Sequence, residues 1–185
     1  MNSRMNISLL SALLFLAALS TGTPTFAAAP VGKTMKVESG TVDFLAVGKP
    51  SFLKVKGEGA VPTGEVTVVG DKAAGEFKID LSQFKTGMEK RDEHMKKTLE
   101  VEKFPTAIVR FKDVAVKDGL MKATIPAELE LHGQKKPVAL EAEFKDGKAT
   151  GKFKIKLSEF GIVPPSFAGI TIKDEVDVNI DSVIK

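Results

Sequence analysis

The stretch MKATIPAELELHGQKKPVALEAEFKDGKATGKFKIKL, residues 121–157, decides the fold. Met121, Ala123, Ile125, Ala127, Leu129 and Leu131 share one parity, and Val138, Leu140, Ala142 and Phe144 share another. Phe153, Ile155 and Leu157 follow in the same manner. A period of two puts one face of a strand in an apolar interior and the other in water. Asp146-Gly147-Lys148 between the second and third runs is a tight-turn signal. Outward from this stretch the same pattern recurs over 36–47, 51–57, 65–70 and 74–81, then over 107–117, 120–131, 136–145 and 149–158, and finally over 170–181. Gly and Pro punctuate these runs at Gly48-Lys49-Pro50, Gly59 to Gly64, Gly70-Asp71 and Asp118-Gly119. Many amphipathic strands with little helix between them predict an all-β fold, an antiparallel closed barrel of about eight strands.

One segment breaks the pattern. From Thr86 to Phe104 the period of two is lost, and Met88, Arg91, Met95, Leu99 and Glu102 recur every three to four residues. That spacing predicts a short helix over roughly 89–99, lying across one end of the barrel. Phe104-Pro105 forces an extended exit, because a residue before proline avoids helical angles. Gly161 to Gly169 carries two prolines and reads as a loop.

The first residues read as a targeting segment. Arg4 precedes an apolar run from Ile7 to Leu19, and small residues gather at Ala27-Ala28-Ala29. This predicts a signal peptide over 1–27, cut after Ala27, and a single domain over 28–185. The apolar run is too short for a typical membrane span. An exported protein, periplasmic or secreted, is expected. The sequence has no cysteine, which excludes disulfides, thiolate metal sites, a cysteine nucleophile and a lipid-modified cysteine. Of 27 basic and 24 acidic residues, 1–27 contains only Arg4, so residues 28–185 carry 26 against 24, a net charge of +2. With no Trp, no Tyr and two Arg beyond residue 27, nothing marks a nucleic-acid partner. The absence of Trp and Tyr and the Lys-rich outer strand faces also argue against an outer-membrane barrel, which needs aromatic girdles.

The inward face is the candidate site. It is expected to include Val42, Phe44, Phe77, Ile79, Val109, Phe111, Ile125, Leu129, Leu140, Phe144, Phe153, Ile155, Val176 and Val178. Barrels of eight strands are just wide enough to fill with side chains or to hold one small ligand. Ala123, Ala127 and Ala142 at inward positions leave room for an elongated apolar guest. On the helix, Arg91 and His94 are expected at the mouth, where they either pin the helix to the rim or meet a ligand head group. Arg suits this role because its planar fork grips carboxylate or phosphate. An Arg91–Asp92 or Arg91–Glu contact is the structural counterpart of that reading. His94 flanked by carboxylates is the lone feature favouring a hydrolase-type enzyme, and no Ser or Thr nucleophile motif accompanies it. His132 lies in a turn far along the chain, with no metal-ligand spacing to join it to His94. No cofactor or metal is expected.

The run Phe84-Lys85-Thr86-Gly87-Met88-Glu89-Lys90-Arg91-Asp92-Glu93-His94-Met95, with Val101-Glu102-Lys103-Phe104-Pro105 and Val109-Arg110-Phe111, resembles the YceI-like family. Glu128 to Val138, Phe153 to Ile162 and Ile172 to Val178 also match its later hairpin, turn and closing strand. Family members often open with an Asp-x-x-His-Ser motif. Here the chain has Val37-Glu38-Ser39-Gly40-Thr41-Val42 without His. The resemblance implies a lipocalin-like barrel closed over a long isoprenoid or similar lipid, exported, commonly dimeric and without cofactor chemistry. The expected function is therefore binding of an isoprenoid or isoprenoid-quinone ligand for carriage, storage or stress protection. A solid-cored barrel serving as a protein-interaction or stress module is the alternative, and a hydrolase using His94 is the second.

Overall fold

The computed structural model describes residues 32–117, 121–167 and 170–185. The signal segment over 1–27, the Asp118-Gly119 turn and the last two residues of the Gly161–Gly169 loop lie outside the described residues. In chain order the elements are β1 (Lys33–Lys49), β2 (Lys54–Ala60), β3 (Pro62–Val69), β4 (Lys72–Asp80), a 3-10 turn over Leu81–Gln83, α1 (Glu89–Thr98), β5 (Thr106–Ala115), β6 (Met121–Leu131), β7 (Gln134–Lys145), β8 (Lys148–Lys156), a second 3-10 turn over Leu157–Phe160, β9 (Ser166–Phe167) and β10 (Ile170–Ile184). Neighbours along the chain pair antiparallel in the order β3-β4-β5-β6-β7-β8-β10, and β10 returns to β1 to close the ring. The closing register sets Val42 against Ile180, Phe44 against Val178 and Ala46 against Val176. The long first strand pairs with β3 through Lys33–Lys36 and with β2 through Val42–Val47 along one edge. β2 and β3 therefore act as one bent stave, and the barrel has eight staves.

That bend corrects the expected break between Gly59 and Gly64. Gly59 takes a φ of 97°, and Glu58 bonds across to Lys85 in an isolated bridge. The chain turns a corner there and stays within the sheet, as glycine kinks in curved sheets do. A second correction concerns β6. Ala127 and Ala142 are buried, but Ala123 is exposed. Among the described residues the β5–β6 ladder covers only Ile108–Arg110 with Glu128–Glu130. Pro126 has no N–H with which to extend it, so the first half of β6 departs from β5.

Inward residues of every stave merge into one apolar core, with Val42 and Val109 wholly removed from solvent. The outer face is polar and charged. On it, Arg110 of β5 bonds Glu76 on β4 and Glu130 on β6, both at 2.7 Å. Both carboxyls are held below their ordinary range, chiefly by the hydrogen bond from Arg110. All three side chains are about a third exposed, so solvent and salt screen much of this energy. Replacement of Arg110 by Met is expected to cost about 1 kcal/mol by chemical denaturation, with the gap shrinking in molar salt.

Candidate functional site

Helix α1 has Asp92 and Glu89 in its first turn and Lys96 and Lys97 in its last, matching the helix dipole at both ends. Met88 at its N-cap supplies no side-chain cap. Asp92 leaves the first-turn N–H groups uncapped and ties the helix to the chain that precedes it. Its Oδ1 accepts from the Thr86 backbone N–H at 2.7 Å and from the Thr86 hydroxyl. Arg91 donates through Nε to the Thr86 hydroxyl at 2.8 Å and through its terminal nitrogen to the Thr86 carbonyl. Arg91 and Asp92 thus both grip Thr86, and they anchor the helix to the chain entering it. The expected direct contact of Arg91 with a neighbouring carboxylate is replaced by this shared anchor. Thr86 was not legible as a site residue; the Asp six positions on, able to reach back to a helix entry, was its one signal.

The Thr86 hydroxyl and backbone N–H hold the Asp92 carboxyl below its usual range, against the opposing effect of burial. A depressed carboxyl stabilises the fold above its unfolded value near about 3.9 and loses that contribution as pH falls through the lower folded value. Asp92→Asn is therefore expected to lower Tm at neutral pH. The gap should narrow once the pH drops below about 3.9. A gap of constant size down to acid pH would show that the Asp92 charge is not what matters.

Beneath α1 the barrel holds a cavity of about 180 Å³. Eight of the expected inward residues line it: Val42 and Phe44 on β1, Ile79 on β4, Leu129 on β6, Phe153 and Ile155 on β8, and Val176 and Val178 on β10. Its roof is Thr86, Arg91, His94, Met95, Thr98 and Leu99 on and around the helix, with Pro165 and Ile172 at one side. Among the described lining residues, Thr86, Arg91, His94 and Thr98 alone carry side-chain N or O atoms, on an otherwise apolar wall. His94 is exposed to solvent while it lines the cavity, so the chamber reaches water beside the helix. Among the described residues His94 has no hydrogen bond, so the helix is pinned by Arg91 and Asp92 without it.

The remaining expected residues lie deeper. Phe77, Val109, Phe111, Leu140 and Phe144 line a second cavity of about 50 Å³. Ile125 is buried in the wall and lines neither space. Two rings shape the upper chamber near β1. Phe44 meets Phe84 edge-on with centroids 5.2 Å apart. Phe44 also lies against Gly57 of the paired strand, where an added Cβ would sit 2.0 Å from the ring. Only glycine at 57 leaves room for that ring.

His132 has no place in either chamber. Its Nδ1 donates to the Phe160 carbonyl at 3.0 Å, its ring packs on Phe104, and Nε2 lies 3.5 Å from Glu100. It ties the β6–β7 turn to the segment after β8. Among the described residues no group of three or more His, Asp or Glu is arranged to hold a metal, and no helix is long and apolar enough to cross a membrane.

A family model described as the YceI-like domain matches residues 33–184. No curated protein matches the chain. Two of the solved structures that share its fold illustrate the likeness. One is a polyisoprenoid binding domain from Saccharophagus degradans implicated in plant cell wall breakdown, at 16% identity and a TM-score of 0.63, covering 82% of this chain and 97% of that one. The other is BcnA of Burkholderia cenocepacia, at 18% identity and a TM-score of 0.59, covering 77% and 95%.

Proposed function

This chain belongs to the YceI-like domain family, and from that premise we propose that it is a lipid-binding protein whose upper chamber takes the tail of an isoprenoid or isoprenoid-quinone ligand. The observation that carries the proposal is the apolar cavity of about 180 Å³ roofed by a polar helix end. Each methylene moved from water into such a wall is worth roughly 0.8 kcal/mol. A tail inside would leave its polar head beside α1. Arg91 spends two of its five N–H donors on Thr86, which leaves others for a pyrophosphate or quinone oxygen. The likeness to a protein described as polyisoprenoid binding supports the same ligand class.

Binding, in place of turnover, suits the groups at the roof. The Thr86 hydroxyl is engaged by Asp92 and Arg91, so it is poorly placed to act as a nucleophile beside His94. The signal-like segment over 1–27 supports export to the periplasm or beyond, to be checked by osmotic-shock release and N-terminal sequencing of the released protein. The decisive experiment is organic extraction of protein purified without delipidation, followed by mass spectrometry. An isoprenoid recovered in near-stoichiometric amount is the expected result. Protein that yields none, and takes up none when prenyl alcohols are added, would overturn the proposal.

A further inference from the structure

The barrel interior is divided. Each of four staves contributes one inward residue to the upper chamber and the next to the lower. On β4 these are Ile79 and Phe77, on β5 Ala107 and Val109, on β8 Phe153 and Gly151, and on β10 Val178 and Ile180. The division thus passes between neighbouring inward residues on these four staves, and steps by one position where Val42 pairs with Ile180 and Leu129 with Val109. Phe77 is buried and pairs across the ladder with Val109, which is wholly buried. It also stacks on Phe111 with ring centroids 6.3 Å apart. β4 and β8 lie on opposite sides of the ring of eight staves, so Phe77 and Phe153 project inward from facing walls.

We infer that this layer is a floor that limits the length of tail the upper chamber admits, with Phe77 as its main determinant. The inference rests on the lipid-binding reading and deepens it. At the share of about 30 Å³ that a water takes in the liquid, a cavity of about 180 Å³ accommodates roughly six water-sized groups. A methylene is of similar size, so the chamber takes roughly six carbons, or about one five-carbon isoprene unit, with the head-bearing unit left at the mouth. The lower chamber, at about 50 Å³, has room for only about two more such groups. A much longer tail must either displace the floor or remain outside the barrel. Trimming Phe77 would join the two spaces, while enlarging Ile79, which lies one inward position above, would raise the floor.

The test is a binding series with geraniol, farnesol, geranylgeraniol and an octaprenol against the wild-type protein, Phe77→Ala and Ile79→Phe. Wild type is expected to prefer geraniol. Phe77→Ala should shift the optimum to farnesol, with a gain of about tenfold or more in the ratio of the two affinities. Ile79→Phe should act the other way and lower the affinity for geraniol by about tenfold or more. Strand content by circular dichroism and Tm report whether each variant is folded, and Phe77→Leu replaces Phe77→Ala if the latter is not. An unchanged length profile across folded variants would overturn the floor while leaving lipid binding intact. A wild-type preference for octaprenol would do the same. If wild type takes up none of the alcohols, lipid binding itself fails and the floor falls with it.

Discussion

Phe160→Ala lowers the stability of the barrel by about 3–5 kcal/mol, the range for removing a fully buried aromatic from a core that cannot collapse around the space. Phe160 ends the second 3-10 turn and is 1% exposed. The reason it carries so much lies in the sheet. The β7–β8 ladder runs only over Glu141–Lys145 and Lys148–Lys152. Above it the first half of β7 and the last residues of β8 part, and the turn Leu157–Phe160 packs against β7, β8 and β10. Phe160 and Ile162 seal that gap with side chains where backbone pairing is missing. The turn is locked in place at both ends. Gly161 takes the left-handed conformation at φ 71° and bonds back to the Ser158 carbonyl, and Ile162 N–H bonds to the Leu157 carbonyl at 3.0 Å. His132 holds the Phe160 carbonyl from the opposite strand turn.

For a domain of this size each kcal/mol moves Tm by about 2–4 °C, so a fall of roughly 6–20 °C is expected by calorimetry. Against a total stability of about 5–15 kcal/mol, such a loss leaves little reserve. Phe52→Ala is the matched control. Phe52 is 80% exposed at the β1–β2 connection, and its removal should change stability by no more than about 0.5 kcal/mol. A loss below about 1 kcal/mol for Phe160→Ala would show that the turn does not close the wall.

The staves were legible because each has one dry and one wet face, and that contrast writes a period of two into the chain. Ile125, Ala127, Leu129 and Leu131 show it on β6, as do Phe153 and Ile155 on β8. Helix α1 was legible for the complementary reason, since Arg91, Met95 and Leu99 recur at helical spacing and do line the chamber. The bent stave of β2 and β3 was not. Gly59, Pro62 and Gly64 carry the same local signals in a corner as in a loop, and only pairing with β1 and β4 separates the two cases. Thr86 was missed because a single hydroxyl has no periodic signature; its role appears only when Arg91 and Asp92 fold back onto it. The two chambers were invisible for a geometric reason. Parity states which face a residue occupies, whereas depth along the barrel depends on stagger between staves. Two residues advance about 7 Å along a strand, enough to move from Ile79 in one chamber to Phe77 in the other.

Ala107→Phe is expected to abolish tail binding while sparing the fold. Ala107 is 5% exposed, lines the upper chamber and pairs with Ile79 across the β4–β5 ladder. A phenyl group in place of one hydrogen of its methyl adds a six-carbon ring directed into the lumen. In a filled core such overpacking costs about 1–3 kcal/mol. Here a cavity stands open to receive the ring, so Tm should stay within a few degrees of wild type by the scale of about 2–4 °C per kcal/mol. The ring occupies the space of about six methylenes, each worth roughly 0.8 kcal/mol to a bound tail. The ligand therefore forfeits about 5 kcal/mol, which at about 1.4 kcal/mol per tenfold is a loss of roughly a thousandfold or more in affinity. Uptake of geraniol by the purified variant, measured beside Tm, separates the outcomes. A stable variant with lost uptake places the tail beneath α1 and against β5. A stable variant that binds as wild type does would place the ligand elsewhere on the protein, and the upper chamber would then be an unfilled consequence of small residues such as Ala46 and Ala107 on its wall.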